Sequence, residues 1–225
     1  MYDVVYFVKE SDVNEELRYS LRSLKNFPHR KVWIYGYCPK DIKPDKYVQV
    51  YQHEENKWRN VRKMITMCAN NAHITDNFWL FNDDFFIMKK VTKPEIYYHN
   101  NLYKRVVDIE NKYQRFTPYS LILRDCCKEL ESLGLETKDF EMHTPFLVNK
   151  KKALELNNIS YEYGFRTIYG NYFKVKAIEH KDVKIISSSK EYKDGQYLST
   201  DDHSFLGAVG KQIKAKFPDK CKYER

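Results

Sequence analysis

The stretch from Phe78 to Met88, reading Phe-Trp-Leu-Phe-Asn-Asp-Asp-Phe-Phe-Ile-Met, constrains this chain more than any other. An apolar run that reads as a buried strand breaks into an amide and two carboxylates, then resumes as apolar residues with no Gly or Pro at the break. Adjacent acids between aromatic residues repel one another and resist burial, so they need a counter-charge. A bound divalent cation is the most economical one. Side chains alternate along extended chain, which puts Asn82 and Asp84 on one face and turns Asp83 towards backbone donors or a supporting group. The competing reading is a strand that ends in a polar turn, since Asn and Asp are common turn residues.

A chain of 225 residues is long enough for one α/β domain with a substantial core, and a single body over 1–225 is expected. A hydrophobic content of 42%, with 19 Tyr and 13 Phe, fits a folded globular protein rather than a disordered one. No apolar stretch is long enough to span a bilayer, and the amino terminus lacks the basic-then-apolar layout of a signal peptide, so a cytoplasmic location is expected. Cys38, Cys68, Cys126, Cys127 and Cys221 form an odd set without Cys-x-x-Cys spacing, which argues for reduced thiols. The formal charge of +8 is weighted towards the part of the chain after residue 150. That bias favours an anionic partner such as a nucleotide, a phosphorylated sugar, a membrane surface or nucleic acid; solubility charge is the plainer account.

Periodicity predicts strands over 3–8, 31–37 and 47–51, with helices between them. The first helix is expected to open on a capping box of Asp12 and Glu15, with Leu17, Leu21 and Leu24 on its apolar face and Arg18 and Arg22 solvated. A second helix is expected from Asn56 to about Ala69. Strand, helix, strand, strand, helix, strand is the pattern of a doubly wound, mainly parallel sheet flanked by helices, in which ligands collect at the carboxyl ends of the strands. Helices over 102–113 and from Thr117-Pro118 to Gly134 form a small helical insertion or lid across 102–135. Extended chain is expected over 140–148, a helix from Lys150, a strand ending at Asp201-Asp202, and a last helix reaching Phe217-Pro218.

Six stretches then fall into a known order. They are Asp3-Val4-Val5-Tyr6, Glu16-Leu17-Arg18-Tyr19-Ser20-Leu21-Arg22-Ser23-Leu24, Phe81-Asn82-Asp83-Asp84, His143-Thr144-Pro145-Phe146, Arg166-Thr167-Ile168-Tyr169-Gly170-Asn171-Tyr172 and Ser199-Thr200-Asp201-Asp202. Together with Phe217-Pro218 they resemble the conserved regions of the Stealth family, which contains capsular polysaccharide sugar-phosphate transferases and the lysosomal-enzyme GlcNAc-phosphotransferase. The resemblance implies a GT-A-like fold, a nucleotide-sugar donor and Mn2+ or Mg2+. It places the metal on Asp84 and Asp83, donor contacts on Arg166, Asp12, Asn82 and Asp83, and catalytic roles on His143, Asp202 and Arg166. The chain departs from the family at Phe7-Val8-Lys9-Glu10, where relatives usually carry Trp-Val-Asp-Gly, and at Trp58-Arg59-Asn60, where they carry Phe-Asn-Ser.

Chemistry supports these roles and leaves rivals beside them. Arg166 suits a planar two-point contact to phosphate, or stacks on Tyr169 or Tyr172 for packing alone. His143 accepts the proton of an attacking hydroxyl, ligates the metal, or is a satisfied structural imidazole. Asp201 and Asp202 supply a base or a metal oxygen, or simply cap a helix. The expected function is metal-dependent transfer of a sugar or sugar 1-phosphate to an acceptor hydroxyl on a glycan, from a donor that the resemblance implies is UDP-linked. The alternatives are glycosylation of hydroxymethylated DNA bases and a non-catalytic carbohydrate- or nucleotide-binding module.

Overall fold

A computed structural model describes residues 1–11, 13–53, 56–159, 161 and 164–225. Its centre is a five-stranded sheet in the order β3-β2-β1-β4-β7, made of β1 (Asp3–Val8), β2 (Val32–Gly36), β3 (Lys46–Gln49), β4 (Asn77–Asn82) and β7 (Phe146–Asn149). The first four strands run parallel and β7 is antiparallel to β4. The architecture is therefore mixed α/β, with a mostly parallel central sheet covered by helices.

Alternation along the strands builds a core on each face. Val4, Tyr6 and Val8 of β1 pack with Trp79 and Phe81 of β4 and with Leu17, Leu21 and Leu24, which run from α1 (Glu15–Ser23) into a short 3-10 turn. Val5 and Leu80 face the other way, into a larger core shared with α2 (Lys57–Asn70), α3 (Leu102–Tyr113), α4 (Pro118–Ser132), α5 (Lys150–Glu155) and α6 (Phe165–Tyr172). The α3–α4 pair contributes Leu102, Val106, Leu123, Cys126, Cys127 and Leu130 to that core. A second sheet, in the order β5-β10-β9, joins β5 (Phe85–Ile87), β10 (Tyr197–Thr200) and β9 (Lys184–Ile185), and β6 (Tyr97–Tyr98) pairs with β8 (Ile178–Glu179). Phe86 and Leu198 of the second sheet pack on Phe205, Val209, Ile213 and Phe217, around α7 (Asp202–Phe205) and α8 (Ala208–Lys216).

Several expectations need correction. Helix α1 is capped by Asn14, whose Oδ1 accepts from Leu17 N at 2.8 Å; Asp12 lies outside the described residues. Arg22 is not solvated: it is 8% exposed, forks onto both oxygens of Glu224 at 2.7 Å, and donates to the carbonyls of Phe217 and Pro218 at 2.9 Å. A cation that ties the chain's end to α1 has no local sequence signature. Within the extended chain expected over 140–148 the regular strand is β7, Phe146–Asn149, and residues 165–172, for which no element was expected, form α6. The last predicted helix is two, α7 and α8, with Gly207 as the N-cap of α8.

The motif run on α1 has a structural reason. Ser20 Oγ bonds the carbonyl of Phe85 and lies 2.9 Å from the Tyr6 hydroxyl, while Ser23 Oγ accepts from Ile87 N at 3.0 Å. Helix α1 thereby clamps β5, and with it the turn at Asp83-Asp84. Asp3 works at the opposite edge of the sheet, where Arg30, Trp33 and Thr75 donate to its buried carboxylate.

Candidate active site

Strands β2 and β3 extend the sheet on one side of β1, while β4 and β7 extend it on the other. Ligands in open α/β sheets gather at the carboxyl ends of strands beside such a reversal of order. A cavity of about 620 Å³ opens there, bordered by Phe7 after the middle of β1, Asn82 at the end of β4, and the side chains of Asp83, His143 and Arg166.

Chain geometry at the acids differs from the alternating strand expected. The chain turns at Asp83-Asp84, between β4 and β5, so strand alternation stops at Asn82. Asn82 and Asp83 both border this cavity, whereas Asp84 borders only a neighbouring one of about 590 Å³, which Asp83 also reaches. Asp83 Oδ2 accepts from Asn14 Nδ2 at 2.6 Å. Burial, reinforced by the charge of Asp84, pushes the Asp83 carboxyl up to about 6. Asp84 is 9% exposed; its Oδ2 accepts from Lys184 Nζ and Ser199 Oγ, both at 3.0 Å. Its Oδ1 is buried without a hydrogen-bond partner.

Arg166 lies in the first turn of α6. The N-cap, Gly164, has no side chain to cap with, and Glu141 Oε1 takes over by accepting from Arg166 N at 2.9 Å and Thr167 N at 3.2 Å. Burial raises the Glu141 pKa and lowers that of Arg166, each group's charge opposing the other's shift. The guanidinium donates to Asn82 Oδ1 at 2.8 Å and to Met142 O at 3.2 Å, and its Nε has no partner. It lies 5.4 Å from the ring centre of Phe85, and that ring replaces Tyr169 and Tyr172 as the aromatic it meets.

His143 Nδ1 sits 2.8 Å from Asp182 Oδ2 and 3.0 Å from Oδ1. A carboxylate accepts there, so Nδ1 carries a proton, and in the neutral ring the lone pair falls on Nε2. Burial works to raise the Asp182 carboxyl, yet the hydrogen bonds and charge of His143, with Arg105 behind them, bring it down to about 2.

The remaining acids cluster in the neighbouring cavity. Glu16, Asp83, Asp84 and Asp202 all border it. Glu16 bonds the Thr200 hydroxyl, and burial, with the charges of Asp84, Asp83 and Asp202, pushes its carboxyl up to about 8. Asp201 caps α7 through Ser204 N at 2.8 Å, as the helix-cap alternative required. Asp202 is exposed and borders the acidic cavity, not the one that holds His143 and Arg166.

A third cavity, of about 600 Å³, lies at the ends of β2 and β3 and shares Lys9, Gln52 and Lys57 with the first. Gln52 Nε2 donates to Val8 O at 2.7 Å, and the rings of Tyr51 and His53 stack with centres 5.6 Å apart. Gly36 makes the close approach possible: its φ is +109°, and a Cβ there would lie 2.1 Å from Val8 O. Lys9 borders all three cavities.

Among the described residues, no three His, Cys, Asp or Glu side chains converge as a metal-binding group. A divalent cation on Asp83 and Asp84 would therefore share its shell with water or substrate oxygens. The unpartnered Asp84 Oδ1 and the raised Asp83 carboxyl suit such a cation. Sequence reading passed over Asp182, Glu141, Lys184 and the chemistry of Glu16. Glu16, Ser20 and Ser23 form a polar stripe at i, i+4 and i+7 beside the apolar stripe of Leu17, Leu21 and Leu24, a signal that was available. Asp182 has none, for it meets His143 across 39 residues. No described helix is long and apolar enough to cross a membrane. No family model matches the chain, and no curated protein matches it.

Proposed function

We propose that this chain is a transferase, on a GT-A-like fold and of the Stealth type, that moves a sugar or sugar 1-phosphate from a UDP-linked donor to an acceptor hydroxyl. One observation carries the reading. A histidine oriented by a carboxylate, an arginine oriented by Asn82, and Asp83 all border one cavity at the carboxyl edge of the sheet. The adjoining cavity at Tyr51 and His53 offers stacked rings and the Gln52 amide for a nucleoside, and Lys9 and Lys57 border the passage between the two.

Arg166 and the two lysines hold the diphosphate. The acceptor hydroxyl gives its proton to His143 Nε2, while Asp182 fixes the ring and stabilises the imidazolium that forms. In sugar-phosphate transfer, the acceptor oxygen bonds to the β-phosphorus, the bridging bond to the α-phosphate breaks, and UMP leaves. In plain glycosyl transfer, that oxygen bonds to the anomeric carbon, the bond from this carbon to the phosphate oxygen breaks, and UDP leaves. Asp84 and Asp83 would hold Mn2+ or Mg2+, which when bound neutralises charge building on the departing phosphate.

Incubation with a panel of nucleotide sugars, either metal, and both glycan and hydroxymethylated-DNA acceptors tests this. Mass spectrometry is expected to show UMP with a sugar-phosphate diester, or UDP with a glycoside. Failure to release nucleotide from any donor would refute the reading, and a modified DNA base would move the acceptor from glycan to DNA.

A further inference from the structure

A cavity of about 840 Å³ lies beyond the His143–Asp182 pair, under the segment 189–198. His143 borders the cavity of the reaction centre, Asp182 borders this one, and Lys184 borders both. Resting on the transferase reading, we propose that this cavity is the acceptor subsite and that it takes an oligosaccharide bearing acidic groups.

Its chemistry is that of a glycan site. Tyr97, Tyr192 and Tyr197 border it, the rings of Tyr97 and Tyr197 meeting at 68° with centres 6.0 Å apart. Aromatic faces carry negative potential and accept the weakly positive C–H faces of sugar rings. Tyr197 is 6% exposed and its hydroxyl is buried, so Tyr97 and Tyr192, both half-buried, offer the open ring faces.

The charge on the walls selects the kind of sugar. Lys181, Lys190 and Lys193 border the cavity and make no ion pair among the described residues. Two of the bordering carboxylates are already engaged, Asp182 by His143 and Asp194 by Lys89 at 2.5 Å. Glu191 is the remaining acid, so the uncompensated charge is positive. Anionic groups on the acceptor would be drawn to it, most strongly at low ionic strength.

Calorimetric titration of the full chain with tetragalacturonate, which carries one carboxylate per ring, and with neutral maltotetraose tests the assignment. The expected result at low salt is saturable binding of both, about tenfold tighter for tetragalacturonate. The double variant Lys190→Ala/Lys193→Ala should erase that preference. Tyr192→Ala should weaken both sugars about tenfold by deleting a bordering aromatic face, with the thermal midpoint of the free protein read in parallel to show that the variant is folded. Equal affinity for the two sugars, no binding of either, or variants that bind like the wild type would overturn the proposal. Nucleotide release is scored separately. Donor cleavage without glycan binding leaves the transferase reading standing and removes the subsite, whereas glycan binding without cleavage of any donor does the reverse.

Discussion

Two neighbouring cavities, joined at Lys9, Asp83 and Lys184, answer the problem of buried charge in opposite ways. In the one that holds Arg166 and His143, four of the titratable side chains are tied down: Arg166 to Asn82, His143 to Asp182, Arg105 to Asp139, and Glu141 to the amino end of α6. In the other, Glu16, Asp83, Asp84 and Asp202 line one cavity, Lys184 bonds Asp84, and the Glu16 and Asp83 carboxyls are pushed above the usual range. The first cavity is preorganised, and binding asks little rearrangement of it. The second is short of positive charge, and a cation shared with substrate oxygens would relieve it.

The largest effect should come from removing an acid proposed to hold the metal. Asp84→Asn should cut metal-dependent turnover by about a hundredfold or more, measured as nucleotide release across a manganese titration. Turnover that keeps its metal response in this variant would dissolve the distinction between the cavities.

Next comes the partner of the histidine. Asp182→Asn should slow turnover by about 10- to 100-fold, with the donor Kd little changed, since it loosens orientation rather than binding. It carries a stability signature as well. The Asp182 carboxyl titrates near 2 when folded against 3.8 unfolded, so its contribution is present above pH 3.8 and is lost as pH falls towards 2. Acid unfolding should show that loss in the wild type and not in the variant.

Arg166→Lys should raise the donor KM about tenfold with a smaller change in kcat. A lysine cannot bond Asn82 and Met142 O while also presenting a planar face to phosphate. The smallest effect is expected from Glu16→Gln. In the folded protein Glu16 holds its proton to about 8, against 4.5 when unfolded, so folding is opposed progressively as pH rises through that window. Without added metal, the variant should be more stable than wild type by on the order of 1–2 kcal/mol at pH 8 and equal to it near pH 4.5. Chemical denaturation at the two pH values reads the difference.

Local patterns explain what was legible. Thr117-Pro118 does open α4, through Thr117 Oγ1 accepting from Ser120 N at 3.0 Å, and Leu102 to Tyr113 is helical as its spacing implied. Such signals depend on neighbours a few residues apart. The run from Phe78 to Met88 announced a buried break but not its shape. Alternation assumes one strand, and the chain instead leaves the central sheet at Asp83 to pair β5 with β10. Asp182, Lys184 and Glu224 were silent because their meaning comes from contacts with His143, Asp84 and Arg22 far along the chain. Asp201 and Asp202 look alike in sequence, and only the start of α7 separates the capping residue from its exposed neighbour.

The most direct test compares wild type and His143→Ala for donor binding and for nucleotide release under single-turnover conditions with saturating donor, metal and acceptor. The account predicts Kd values within about threefold and a release rate at least about a hundredfold slower in the variant. Equal release rates would contradict it, as would a donor that binds neither protein.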